Sequence, residues 1–185
     1  MNKAELRKRA LSRRRNIEEK SEKDALIFER FTSSDLYKNA GTLFIYCSTK
    51  AEIDTDRITG KAFSDGKRVC VPVCGEGRKM SFFEIKPDEP LNPGPIGIRI
   101  PDITGKTPAA ADEKTLVVTP GLVFDLSGNR IGYGGGFYDV FLSGGKYRTV
   151  GLCYDELLCE RIETEPNDLP VQYLITDKRL LSFSE

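Results

Sequence analysis

The apolar residues of this chain are gathered into runs of strand length, and two of those runs are apolar almost throughout: "TLFIYCS" at 42–48 and "TLVVTPGLVFD" at 115–125. A strand with one wet face alternates apolar and polar residues, whereas a strand covered on both faces does not need to. "RVCVPVC" at 68–74, "MSFFEI" at 80–85, "RTVGLCY" at 148–154 and "QYLITD" at 172–177 read as further strands. Between them lie helical stretches. Residues 3–16 are good helix formers with a narrow stripe of Leu6, Ala10 and Leu11. Ser21 and Asp24 resemble a capping box opening "KDALIFERF", and Asp54 or Thr55 is placed to cap a short helix in "EIDTDRITGKAF". Strands alternating with helices give an α/β domain with a largely parallel central sheet. Residues 86–111, rich in Pro and Gly, read as a long loop, and "LSGNR" at 126–130 as a tight turn.

The 185 residues are most economically one domain, 1–185, with room for a substantial core. Lys plus Arg equals Asp plus Glu at 28 each, so no net field draws the chain to nucleic acid or to an anionic membrane. No apolar run is long enough to span a bilayer, and the start, "MNKAELRKRALSRRRN", lacks the apolar core of a secretory signal. A cytoplasmic location is expected. The five cysteines, Cys47, Cys70, Cys74, Cys153 and Cys159, then read as reduced, buried small hydrophobes, with Cys70 and Cys74 on one strand face. The chain has no histidine, which removes Ser-His-Asp and Cys-His nucleophiles and weakens a zinc site.

The densest chemical signal is "RIGYGGGFYD" at 130–139, with four glycines in ten positions. It is not a dinucleotide fingerprint, whose third glycine would stand at Phe137, nor a Walker A loop, which needs Gly-Lys-Ser/Thr. Gly132, Gly134, Gly135 and Gly136 can nevertheless take positive φ and turn successive N–H groups toward one anion. "FYDVFL" could open a helix whose N-terminus faces the same way. Arg130 adds a charged fork, and Asp139 would repel phosphate unless a cation such as Mg²⁺ stood between them. Spacing alone leaves a second reading, a turn that lets two segments pass closely. The seven cations among residues 3–15 are equally ambiguous: a solvated helix face, an RNA-binding arm, or a clamp for polyphosphate.

"KAELR" at 3–7, "AEIDT" at 51–55, "TPGLVFDLSGNRIGYGGGFYD" at 119–139 and "EPNDLPV" at 165–171 stand in the order and spacing of one family. Through them the chain resembles 5-formyltetrahydrofolate cyclo-ligase, also called 5,10-methenyltetrahydrofolate synthetase, nearly end to end. The resemblance implies a single three-layer α/β/α domain and ATP- and Mg²⁺-dependent closure of 5-formyltetrahydrofolate to 5,10-methenyltetrahydrofolate, with ADP and phosphate released. By match to the motifs, Lys3 and Arg7 would grip the ATP phosphates. Arg130, the catalytic candidate, and the loop Gly132, Tyr133, Gly134, Gly135, Gly136, Phe137 and Tyr138 would surround the phosphates and the reacting centre. Asp139 and Asp168 match the magnesium carboxylates, and Cys47 and Glu52 the folate contacts. The implied partners are the two small-molecule substrates, with no nucleic acid or membrane, and a monomer is expected. The chain departs from the commoner pattern at Ile100, Val140, Leu157 and Asn167. The departures at Ile100, Leu157 and Asn167 motivate one alternative, a paralogue that binds nucleotide and folate but turns over weakly.

Overall fold

The computed structural model describes residues 2–183. In chain order the elements are α1 (Lys3–Arg15), α2 (Lys20–Ser33), α3 (Asp35–Asn39), β1 (Thr42–Ile45), α4 (Thr55–Ser64), β2 (Arg68–Cys74), β3 (Met80–Ile85), β4 (Leu91–Pro93), β5 (Arg99–Pro101), β6 (Thr115–Thr119), β7 (Val123–Asp125), β8 (Arg130–Ile131), α5 (Phe137–Ser143), β9 (Arg148–Cys153), β10 (Leu158–Cys159), β11 (Tyr173–Thr176) and β12 (Leu180–Ser182). Seven strands form one sheet in the order β12-β11-β9-β6-β1-β2-β3. Its five inner strands are mutually parallel, and the edge strands β3 and β12 are antiparallel to their neighbours. A short loop can return a strand only antiparallel, so β2 and β3 pair directly, whereas the parallel neighbours need crossovers. The expected α/β architecture with its largely parallel sheet is what the chain adopts.

Period two sorts the sheet's side chains. Leu43, Ile45, Val69, Val71, Leu116 and Val118 pack with Ile27 and Phe31 of α2 and Ile58 and Ala62 of α4. Their sequence neighbours Phe44, Cys70 and Val117 join Phe82 and Leu142 of α5 in a second cluster. There the Phe44 and Phe82 rings stack at 4.4 Å. Each large side chain so buried contributes about 1.5–3 kcal/mol.

Several local readings are corrected. "TLVVTPGLVFD" is two strands, not one: β6 lies in the large sheet, and β7 joins β8 and β10 in a three-stranded sheet. The break falls at Pro120–Gly121, where a Cβ on residue 121 would stand 2.4 Å from the Phe124 ring. The Ser21/Asp24 capping box does not form. The helix begins earlier, at Lys20, behind Glu19 in a left-handed conformation, and Asp24 instead accepts from Lys20 and from the Tyr154 hydroxyl. A capping box does exist at α1, where Asn2 and Glu5 bond reciprocally. Of the Asp54/Thr55 pair, Asp54 is the cap. The 86–111 segment holds a small hairpin, β4 with β5. Cys47, Cys70 and Cys153 are buried as expected and Cys159 is half-buried, but Cys74 is exposed, since the end of β2 runs beyond the core toward the hairpin turn. Among the described residues no helix is long and apolar enough to cross a membrane.

Candidate active site

The order of strands reverses around β1, with β2 on one side and β6 on the other. Open α/β sheets take ligands outside the carboxyl ends of strands at such a point. Cys47 and Glu52 follow β1 there.

The glycine loop reaches Glu52 through Tyr133. Tyr133 is 58% exposed, yet its hydroxyl is fixed at both sides: it donates to Glu52 Oε1 at 3.2 Å and accepts from Arg14 Nη1 at 3.4 Å. Burial pushes the Tyr133 hydroxyl pKa up, the Glu52 carboxylate adds to this, and Arg14 opposes it. Glu52 Oε2 accepts from the Thr49 N–H at 2.8 Å and the Thr49 hydroxyl at 3.0 Å. One lone pair of Oε1 is therefore left for a ligand donor. Burial raises the Cys47 thiol to about 11, with Arg99 acting in the opposite direction, so at neutral pH it stays protonated.

Along the loop itself, Gly134 (φ +100°) and Gly136 (φ +70°) are left-handed. Gly132 and Gly135 are not, which corrects the expectation for all four. Gly135 is required for space instead, since a Cβ there would meet the Phe137 ring at 2.8 Å. The amides of Tyr133, Gly134, Gly135 and Gly136 donate to no backbone carbonyl among the described residues. They are free donors at the surface. The helix that follows is only the seven residues of α5, so the loop's own amides, more than a long helix dipole, would meet an anion.

Helix α1 brings cations to this loop. Arg7 Nε donates to the Gly132 carbonyl at 3.1 Å, and its guanidinium lies beside Gly134. Lys3 Nζ contacts Asp168 Oδ2 at 2.6 Å and Glu165 Oε1 at 2.9 Å. Arg130, whose side chain is 5% exposed, pairs with Asp139 Oδ1 at 2.9 Å. Its Nε and the hydroxyl of Tyr138, whose ring it faces, are buried without a hydrogen-bond partner among the described residues.

Asp139 and Asp168 lie on adjoining segments, because Leu169 donates its N–H to Asp139 Oδ1 at 3.4 Å. Among the described residues no three His, Cys, Asp or Glu gather as a cage. Each of the two carboxylates keeps one oxygen outside the hydrogen bonds described, which suits a Mg²⁺ held by one or two carboxylates and completed by phosphate and water.

The Lys3–Asp168 contact gives a stability prediction. Burial alone would lower the Lys3 pKa, but Asp168 and Glu165 hold it above its ordinary 10.5. Burial alone would raise Asp168, but Lys3 and the Glu165 N–H hold it below 3.8. The lysine's share of stability is present below 10.5 and is lost as pH rises through its raised pKa. The aspartate's share is present above 3.8 and is lost as pH falls through its lowered one. The pair is thus at full strength around neutrality. Asp168→Asn is expected to melt about 2–4 °C lower at pH 7, from roughly 1 kcal/mol, with the difference disappearing in acid. Thermal scans at both pH values check this.

Two residues near the loop were not anticipated. Arg14 is 4% exposed, and the 3, 7, 14 spacing on one face with Lys3 and Arg7 is the signal that could have found it. Arg78, from the turn between β2 and β3, reaches Gly136; no sequence spacing points to that contact. The four remaining cations of α1, Lys8, Arg9, Arg13 and Arg15, are exposed.

The model of the 5-formyltetrahydrofolate cyclo-ligase family matches residues 1–177. The 5-formyltetrahydrofolate cyclo-ligase of Haemophilus influenzae is 31% identical over 139 residues, covering 72% of this chain and 74% of its own. That of Escherichia coli is 29% identical over 146 residues, covering 76% and 80%. Among solved structures, 5,10-methenyltetrahydrofolate synthetase of Aquifex aeolicus has a TM-score of 0.85 at 28% identity, covering 100% of this chain and 94% of that one. A family match over nearly the whole length thus meets a site assembled from the motifs that carry the resemblance, and the chain belongs to the 5-formyltetrahydrofolate cyclo-ligase family.

Proposed function

We propose that this protein closes 5-formyltetrahydrofolate to 5,10-methenyltetrahydrofolate, consuming ATP with Mg²⁺ and releasing ADP and phosphate. The observation that carries the ATP part is the convergence on one glycine loop of free amides, Arg7 and Arg130, with Lys3, Asp139 and Asp168 on the segments beside it. The formyl oxygen is a poor leaving group, and the N5 lone pair is delocalised into the carbonyl. Transfer of the γ-phosphoryl to that oxygen makes an iminium phosphate and frees ADP; N10 attacks the carbon and gives up its proton, and the C–O bond then breaks with its electrons leaving on phosphate. The protein's task is positioning and charge neutralisation, which needs no histidine.

Residue by residue, Lys3, Arg7 and the amides of residues 133–136 hold the polyphosphate. Arg130 meets charge developing on the transferred group, and Asp139 and Asp168 hold Mg²⁺. When bound, that ion would screen the phosphate oxygens from one another. Glu52 accepts a hydrogen bond from a ring N–H of the folate on its remaining Oε1 lone pair and is held in place by Thr49 and Tyr133, while Cys47 offers an apolar contact. The departures from the family pattern stay off the loop amides and their cations, so the nucleotide side of the reading is untouched by them. Leu157 is a buried core residue at 2% exposure and Val140 is 45% exposed; Asn167 is exposed and Ile100 lies in β5.

Purified protein given 5-formyltetrahydrofolate, ATP and Mg²⁺ is expected to gain absorbance near the ultraviolet–visible boundary while releasing ADP in equal amount, and to do neither when ATP or Mg²⁺ is omitted. Binding of both substrates with no ADP released would favour the weak paralogue. Absence of nucleotide binding would end both readings.

A further inference from the structure

The turn at residues 75–79, joining β2 to β3, holds two successive left-handed residues, Gly77 (φ +63°) and Arg78 (φ +62°). Glycine takes that conformation freely, whereas a residue with a long side chain is strained in it, and such strain gathers at functional sites. The turn enforces the conformation: the Gly75 N–H bonds the Lys79 carbonyl at 2.8 Å, and the Lys79 N–H bonds that of Glu76 at 3.2 Å. Glu19 and Asp88 also have positive φ, but Glu19 opens α2 and Asp88 lies in the β3–β4 connection.

Arg78 is different because of where its side chain goes. Its Nη1 lies 3.6 Å from the point a Cβ on Gly136 would occupy, and Arg7 Nε lies 3.7 Å from the same point on Gly134. Two guanidiniums from distant parts of the sequence thus flank glycines two positions apart. Arg78 is exposed and meets no carboxylate among the described residues. Cations gathered without a protein anion, beside uncommitted amides, make a site for a ligand with several anionic oxygens.

We propose that Arg78 is a phosphate-binding residue: with Arg7 it brackets the glycine loop and takes an anionic oxygen of the bound nucleotide's polyphosphate. This rests on the reading of the loop as the ATP site. Polyphosphate is favoured over the carboxylates of a folate because the free amides of residues 133–136 lie in the same loop, whereas Glu52, on the folate side, would repel a carboxylate.

Arg78→Gly is the decisive variant, since glycine keeps the φ and removes both the strain and the charge. Its melting temperature is expected to equal or exceed that of the wild type. Its affinity for a non-hydrolysable ATP analogue with Mg²⁺, measured by calorimetry without folate, is expected to fall about tenfold. The KM for ATP should rise by a similar factor and the KM for 5-formyltetrahydrofolate should not move. Arg78→Ala should lose the same affinity and melt below Arg78→Gly. Wild-type affinity in Arg78→Gly overturns the proposal while leaving the ATP reading intact, and so does a rise confined to the folate KM. Failure of the wild type to bind the analogue overturns both.

Discussion

Gly134→Val is expected to yield a folded protein with about one hundredth or less of the wild-type turnover. Residue 134 sits at φ +100°, which a β-branched side chain takes only at a cost of about 1–3 kcal/mol. The chain can relieve that strain by withdrawing from the left-handed region. The free amides of residues 134–136 are then moved from the positions this loop gives them, and loss of a preorganised donor set removes about a hundredfold or more in rate. Space is not the issue, for the atoms nearest a Cβ at 134 lie in ordinary contact at 3.7 Å or beyond. The informative companion is Gly132→Ala. Gly132 has no positive φ, and nothing lies within 4 Å of a Cβ there, so this variant should keep most of its activity. Steady-state kinetics of the two, with circular dichroism to confirm the fold, decide the matter. Full activity in Gly134→Val would mean that the loop's backbone geometry is irrelevant to catalysis.

Arg130→Ala should lower kcat about a hundredfold or more and change the KM for ATP much less, if its guanidinium meets charge that develops as the phosphoryl moves. Removing it also strands Asp139 beside Leu169 without its cation. That costs stability, about 1–3 kcal/mol after discounting for the aspartate's partial exposure, since removing one partner of a fully buried pair costs roughly 3–5 kcal/mol. Arg130→Lys separates the two effects. It restores most of the stability, but a single ammonium cannot reproduce the planar fork, so turnover should stay low. An unchanged kcat with a raised KM would assign Arg130 to ground-state binding alone.

The sheet was legible because β1 and β6 carry no charged residue and are mostly apolar, and a run of that length covered on both faces has few alternatives. The glycine loop and its charged partners were legible for a different reason: residue types fix their chemistry, and Arg130 and Asp139 are close in sequence. What could not be read were effects set by distant packing. Pro120 and Gly121 look like part of a single strand until the Phe124 ring is seen to occupy the place of a Cβ. Ser21 and Asp24 match a capping pattern, but Tyr154, 130 residues along the chain, claims the Asp24 carboxylate. Positive φ at Gly134 and Gly136 could be anticipated; that Gly135 is needed for space instead depends on where the Phe137 ring lies. Arg14 was hidden because a buried arginine in a basic helix looks like its solvated neighbours.

Helix α1 touches the three-stranded sheet through little apolar surface, chiefly Leu6 and Ala10; much of its remaining attachment is Lys3, Arg7 and Arg14. Two of the charges that fasten it, Lys3 and Arg7, are ones the proposed nucleotide would engage, so seating of these thirteen residues and nucleotide binding would be linked. A change elsewhere in the helix that frayed it would then weaken nucleotide retention, and a bound polyphosphate would in turn anchor the helix.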